Sequence, residues 1–294
     1  MAEEEGLDEK EMLKIAQHFL LSSPPGQFNE VLGDVRKILP EGFLSESMAQ
    51  GIARVYNNRN GKVLPTSNGN ILINASTEID PTHHFSSTLG SSVCVDHLSG
   101  SSTDDSTPIP VQFSGESGGI SSYRDALQES VNRYVKAQYK SAAQLCSPGS
   151  ACSVVCNESN LILININGEL TNISNFKSGR FSSSWTVNPA SSSISGEIKV
   201  HAHIFEDGNV QLQQSKAYPL TTLRGSSEAE LASSVVAFIQ SSETSLQEGL
   251  EEMYRTMNEE TLKSIRRIMP FTRTKMEWNI NAVRMVRQTQ AAKK

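Results

Sequence analysis

The chain has 294 residues, with 26 Lys and Arg against 32 Asp and Glu and a formal net charge of −6 at pH 7. That length supports one large domain or two small ones, while 37% hydrophobic residues and a serine-rich middle assign part of the chain to loops. No apolar run reaches the roughly 18 residues of a membrane-spanning helix, and the acidic start MAEEEGLDEKEM lacks the apolar core of a signal peptide.

A reducing compartment is therefore expected, with Cys94, Cys146, Cys152 and Cys156 as free thiols and the sequons at Asn74, Asn157 and Asn172 unused. Helical spacing of Met12, Ile15, Ala16, Phe19 and Leu20 predicts a helix over Leu7–Leu21, stopped by Pro24-Pro25-Gly26. A second helix carries the stripe Phe28, Val31, Leu32, Val35, Ile38 and Leu39 and closes at Pro40-Glu41-Gly42. A third runs from about Ser45 to Tyr56, with Met48, Ile52 and Val55/Tyr56 on one side. Short breaks make sequential helices neighbours, so these three are expected to stack antiparallel.

Residues 61–120 read as short strands, at Ile71–Ile73 and Val93–Val95, followed by a mobile Ser/Asp-rich loop at Ser99–Pro108. Ser121–Lys140 returns to helix, with Leu127, Val131, Tyr134/Val135 and Gln138 recurring. From Ala151 the period becomes that of strands. Ser153–Cys156 and Leu161–Ile166 flank Asn157–Asn160 as a hairpin. Arg180–Val187 alternates Phe181, Ser183, Trp185 and Val187. Ile194–Phe205 sets Ile198, Val200, Ala202 and Ile204 opposite Lys199, His201 and His203. Asp207-Gly208 then turns the chain into Val210 and Leu212. About five antiparallel strands follow from this, with one apolar face that needs a cover.

The cover is a long helix. Ser226 or Ser227 caps it, Glu228 and Glu230 occupy its first turn, and Leu231, Val235, Phe238, Ile239, Leu246, Leu250, Met253 and Met257 form its stripe. Roughly thirty residues span ~45 Å, more than one small sheet is wide. Either the helix overhangs, or a partner extends the sheet beneath it. Thr261 starts a further short helix that Pro270 ends.

The expected fold is α+β: an N-terminal antiparallel helical bundle, a small β region, an antiparallel five-stranded sheet covered by the long helix, and a mobile amphipathic tail. The expected divisions are 7–60, 61–120, 121–260 and 261–294.

Candidate chemistry is sparse. His201 and His203 lie two apart on a strand and could begin a zinc site, but no third ligand at suitable spacing accompanies them, and solvent-facing strand polarity is the expected reading. Cys152 and Cys156 stand in apolar strand context. His83-His84 falls in the region read as mobile. No phosphate-binding loop, dinucleotide fingerprint or nucleophile elbow occurs. No catalytic residues, metal or cofactor are expected.

The tail is different. Met1–Tyr254 has 16 basic and 29 acidic residues, net −13, whereas Arg255–Lys294 has 10 and 3, net +7. Such a segment meets acidic partners. Nucleic acid is disfavoured, because the only interleaved aromatics are Phe271 and Trp278. Lys263, Arg266, Arg267, Arg273 and Lys275 could meet anionic lipid headgroups. A protein contact is best supported: Met276, Ile280 and Val283 form one helical stripe, and Trp278, Ala282 and Met285 another nearly opposite.

Several stretches resemble the F-actin-capping protein alpha subunits. They are Pro24-Pro25-Gly26-Gln27-Phe28-Asn29-Glu30-Val31 with Asp34-Val35-Arg36, then Tyr134-Val135-Lys136, then Asn175-Phe176 with Gly179-Arg180 and Trp185. Phe205-Glu206-Asp207-Gly208-Asn209-Val210-Gln211-Leu212 and Arg266-Arg267-Ile268-Met269-Pro270-Phe271-Thr272-Arg273-Thr274-Lys275, running on to Trp278, complete the set in order. Residues 75–120 depart from the pattern, apart from Asp80-Pro81 and Asp96-His97-Leu98.

The resemblance implies a heterodimer with a beta subunit, one continuous antiparallel sheet shared between them, and long helices across it. It implies binding to the barbed end of an actin filament, independently of calcium, so that subunit addition and loss are both blocked. It places actin contacts on Lys263, Arg267 and Arg273, and a docking tail from Met276 onward that includes Trp278, Ile280 and Val283. Anionic phosphoinositides are implied as opposing regulators, and a cytoplasmic, cytoskeletal location follows. The alternative is a peripheral phosphoinositide-binding protein that uses the same cations.

Overall fold

The computed structural model describes residues 8–105, 110–116, 118–139, 148–172, 176–206, 209–225 and 227–256. They fall into two units that divide between Ile239 and Gln240.

The first unit opens with three helices, α1 (Glu9–Leu21), α2 (Phe28–Ile38) and α3 (Glu46–Asn60). Ser45 caps α3 by accepting a hydrogen bond from the Met48 amide. Their shared core is Ala16, Leu20, Phe28, Leu32, Val35, Ala49, Ile52, Ala53 and Tyr56. The expected stripes are too wide at their flanks: Ile15, Phe19, Ile38 and Val55 are exposed. In a three-helix bundle each helix faces only two neighbours, so the flanking apolar positions stay in solvent.

A hairpin follows, β1 (Lys62–Thr66) with β2 (Gly69–Ile73), then a three-stranded antiparallel sheet of β3 (His83–Ser86), β4 (Ser91–Asp96) and β5 (Ser101–Asp105). Two expectations are corrected here. Much of the stretch read as a mobile loop at Ser99–Pro108 is β5, paired to β4 from Ser92↔Asp105 to Asp96↔Ser101. His83-His84 begins β3, and His84 is fully buried. Strand pairing is made by main-chain groups, so a Ser/Thr/Asp composition does not forbid it. Asp96 forms the turn between β4 and β5, its carboxylate accepting from the amides of Leu98 and Ser99.

After the short α4 (Val111–Ser114) comes α5 (Ser121–Gln138), which buries Leu127, Gln128, Val131, Tyr134 and Val135 and leaves Gln138 exposed. The main sheet is an antiparallel meander of β6 (Pro148–Cys156), β7 (Ile162–Asn172), β8 (Lys177–Asn188), β9 (Ser193–Ile204) and β10 (Val210–Thr222), ordered β10-β9-β8-β7-β6. The expected Asp207-Gly208 turn lies outside the described residues, between the paired Ile204 and Val210.

One sheet face buries Ile162, Ile164, Ile166, Trp185, Val187, Ile194 and Ile198. The helix α5 lies on it, with Cys152 donating to Asn132 at 3.0 Å. So does the start of α6 (Glu228–Thr256), whose Phe238 meets the Trp185 ring edge-on at 5.7 Å. Each fully buried Ile contributes about 1.5–3 kcal/mol relative to exposure, so this face contributes substantially to the fold's stability. The other face is also covered, in part by side chains the sequence pattern did not flag. Ala151 packs with Val63 and Leu72, and Val155 with Phe85 and Phe113. Farther along, Asn167 donates to the carbonyls of Asn60 and Gly61 at the end of α3.

In α6, Ser227 caps the first turn, and Leu231, Ala232, Val235 and Ile239 are buried as the stripe requires. In the second unit Leu246 is buried, Leu250 and Met253 are half-buried, and Met257 lies outside the described residues. At 29 residues the helix is ~44 Å long.

Candidate functional site

Three of the family-like stretches, those that begin at Pro24, continue from Phe176 and begin at Phe205, meet at one corner of the first unit, where the helical bundle joins the end of the main sheet. Tyr56 donates its hydroxyl to the carbonyls of Ser23 and Pro24 at 3.1 and 3.2 Å. Gly26 has φ +75, and a side chain there would collide with Thr171. Gln27 donates to Ser178 Oγ at 3.1 Å and to His203 Nδ1 at 2.8 Å. His203 Nε2 then donates to Asn209 Oδ1 at 3.0 Å. Phe205 stacks on the His203 ring at 4.9 Å, and Phe176 meets Phe205 edge-on at 5.8 Å. These residues clamp the bundle to two hairpin ends.

That geometry corrects the expectation for the histidine pair. His203 is 5% exposed and both its nitrogens are engaged in the clamp, so it is not solvent-facing strand polarity. His201 is half-buried among Gln211 and Gln213, and burial, followed by the nearby Arg180 charge, holds its pKa down. Among the described residues no group of three or more His, Cys, Asp or Glu gathers as a metal cage.

Behind the clamp lies a buried ion pair. Arg180 and Glu169 face each other across β7 and β8 and approach to 2.6 Å, at 5% and 1% side-chain exposure. The Lys62 ammonium stands 3.9 Å from the same carboxylate. The Arg180 guanidinium also lies over the Tyr56 ring at 5.6 Å. Burial opposes the charged guanidinium, but Glu169 and Tyr56 outweigh it and raise its pKa. Burial raises the Tyr56 pKa against the opposing pull of Arg180. The sequence pattern flagged neither Glu169 nor Lys62. A charge inside an otherwise apolar strand, matched across a hairpin, is the signal that identifies such a pair.

Two surface features complete the site. The outer edge of β10 has no strand partner among the described residues; β10 is 13 residues long, and Val210 and Leu220 on it are 61% and 72% exposed. On the bundle-side face a polar cleft of about 530 Å³ is lined by the end of α3, the segment after β2, and β7 to β10. The sequence-based site residues, Lys263, Arg266, Arg267, Arg273, Lys275, Met276, Trp278, Ile280 and Val283, lie outside the described residues.

A helical bundle, small sheets, a five-stranded antiparallel meander and a long C-terminal helix whose start packs on that meander define a mixed α+β protein of one recognisable architecture. Its fold is shared with the homodimeric actin capping protein alpha subunit from Plasmodium berghei, with a TM-score of 0.68, 21% identity, and coverage of 90% of this chain and 98% of that one. The F-actin capping protein alpha subunit family model matches residues 16–288, and the chain belongs to that family. It is 30% identical to the F-actin-capping protein subunit alpha of Dictyostelium discoideum over 274 residues, 92% of this chain and 94% of that protein. To its counterpart in Caenorhabditis elegans it is 28% identical over 282 residues, 93% and 95% of the two chains.

Proposed function

We propose that this chain is the alpha-type subunit of a heterodimer that binds the barbed end of an actin filament, without calcium, and blocks both addition and loss of subunits. The observation that carries this reading is the family match from residue 16 to residue 288, which includes the basic segment. Lys263, Arg267 and Arg273 contact acidic actin surface and give steering and register. The segment from Met276, with Trp278, Ile280 and Val283, docks on the terminal actin. No enzymatic step is involved. The partner is a beta-type subunit whose sheet continues from β10. The same cations, with Arg266 and Lys275, meet anionic phosphoinositides, which oppose capping by competition. The location is cytoplasmic, on the cytoskeleton.

The test is barbed-end elongation with the chain alone and co-expressed with a beta-type subunit. Arrested elongation by the co-expressed pair is expected, and unimpeded elongation would overturn the reading. Changing Lys263, Arg267 and Arg273 together to Ala weakens capping while co-purification persists; unchanged capping removes those three from the site. Deleting Met276–Lys294 mainly speeds dissociation, because docking follows encounter. A fall in the on-rate alone would contradict docking.

A further inference from the structure

The cleft on the bundle-side face has no part in the filament-end reading. Arg59, Arg180, Lys199 and His201 line it, and among the described residues no Asp or Glu does, although the chain carries 32 acidic residues. Behind Arg180, one Glu169 carboxylate is shared between that guanidinium and Lys62, so the three groups carry one positive charge in excess. Lys199 is held at 2.8 Å by Glu197, an exposed pair that an incoming carboxylate can exchange. Amides and hydroxyls such as Asn165, Ser182, Ser184 and Gln213 fill the rest of the lining with donors.

The chemistry of the ligand follows from what is present and what is missing. Among the described residues no Phe, Tyr or Trp lines the cleft, so a nucleobase has no described ring to stack on. The cations come from α3, β8 and β9 and do not share one loop, which suits charges spread along a chain better than one phosphate. The floor is a face of extended strands, which fits an extended segment. We propose that the cleft binds an acidic, extended peptide segment of a partner protein, held by Arg59 and Lys199 at its carboxylates and by the amide-lined floor along its backbone.

The test uses the full chain in the assembly in which it purifies, and fluorescence anisotropy of a labelled deca-glutamate peptide at low salt. Binding is expected, and the double variant Arg59→Glu/Lys199→Glu weakens it by about 10-fold or more with an unchanged thermal melt and unchanged capping. Rescue by Arg59→Lys/Lys199→Arg, which keeps both charges, supports the site. No binding, or equal binding by the charge-reversed variant, overturns it. So does binding lost in the Lys263, Arg267 and Arg273 to Ala variant but kept in the cleft variant, which places the peptide on the basic segment. Inorganic phosphate that displaces the peptide at equimolar charge assigns the cleft to a phosphate and also overturns the proposal. None of these outcomes depends on whether the chain caps filaments.

Discussion

Arg180 and Glu169 carry opposite charges in a place where neither can be hydrated. Removing Glu169 leaves Arg180 buried and unpaired, which costs about 3–5 kcal/mol, whereas replacing both with apolar residues of similar volume is often neutral. Glu169→Leu is therefore expected to lower the urea-unfolding free energy by that amount, and Arg180→Met/Glu169→Leu to recover most of it. Lys62 is 26% exposed and can turn its ammonium to water in the double variant. Equal destabilisation by the single and double variants would show that the pair, and not the orphaned charge, carries the energy. The cysteines give a second expectation. Burial pushes the Cys152 thiol up to about 12 and Cys156 to about 11, so neither forms appreciable thiolate near pH 8. A thiol reagent with peptide mapping should modify the half-buried Cys94 before Cys152 and Cys156, and comparable rates at Cys152 would contradict its burial. Residue roles of this kind were only partly legible in the sequence. The glycine and prolines at 24–26 announced a break, but their contact with Thr171 and Tyr56 joins segments far apart in the chain.

At the scale of elements, the junction between α3 and the β3–β4 hairpin is expected to lose stability as pH falls. His84 sits with its ring 5.4 Å from His97, and its Nδ1 meets Thr77 Oγ1 at 3.2 Å. Burial, then the His97, Arg54 and His83 charges, holds its pKa down to about 3, while Asp80 pulls the other way. Burial also lowers His97, although the Pro81 carbonyl, Glu78 and Asp96 favour its proton. In the unfolded chain both imidazoles take up protons near pH 6.5. The unfolded state thus binds more protons between about 6.5 and 3, and stability, complete above that window, falls as pH falls through it. Asp80, held at about 2 chiefly by the Thr82 amide, adds a further loss only below the ordinary carboxylate range. Unfolding free energy measured from pH 7.5 to 4.5 should therefore decline, and His84→Gln should flatten the decline; an unchanged slope would remove His84 as its source. Elements with regular alternation were legible in the sequence. Trp185 and Val187, and Leu231 and Val235, fall on the buried faces their spacing required. The strand β5 was not, because its Ser, Thr and Asp side chains carry no apolar period and its pairing rests on the backbone of β4.

For the whole molecule, the decisive element is β10. From Val210 to Tyr218 it pairs regularly with β9, and the register shifts only between Tyr218 and Thr221, around Pro219. Among the described residues, the outward-facing half of the main-chain groups in these nine residues therefore has no strand partner and lies beside exposed apolar side chains, a template for another strand. Lys216 is the one charge on that run, too little to deter association. The count of about five antiparallel strands was legible from alternation and two hairpin signals, but which edge stays open was not, since that depends on what lies beyond this chain. If a beta-type subunit continues the sheet, half the β10 amides change state on assembly, from solvated to hydrogen-bonded. Hydrogen exchange resolved by residue should then show alternate β10 amides exchanging quickly in the chain alone and slowly in the co-expressed pair, while β7 and β8 amides stay protected in both. The chain alone should also self-associate with rising concentration in light scattering, and the pair should not. Co-purification without any change at β10 would place the partner elsewhere on the molecule and leave the open edge without a role in assembly.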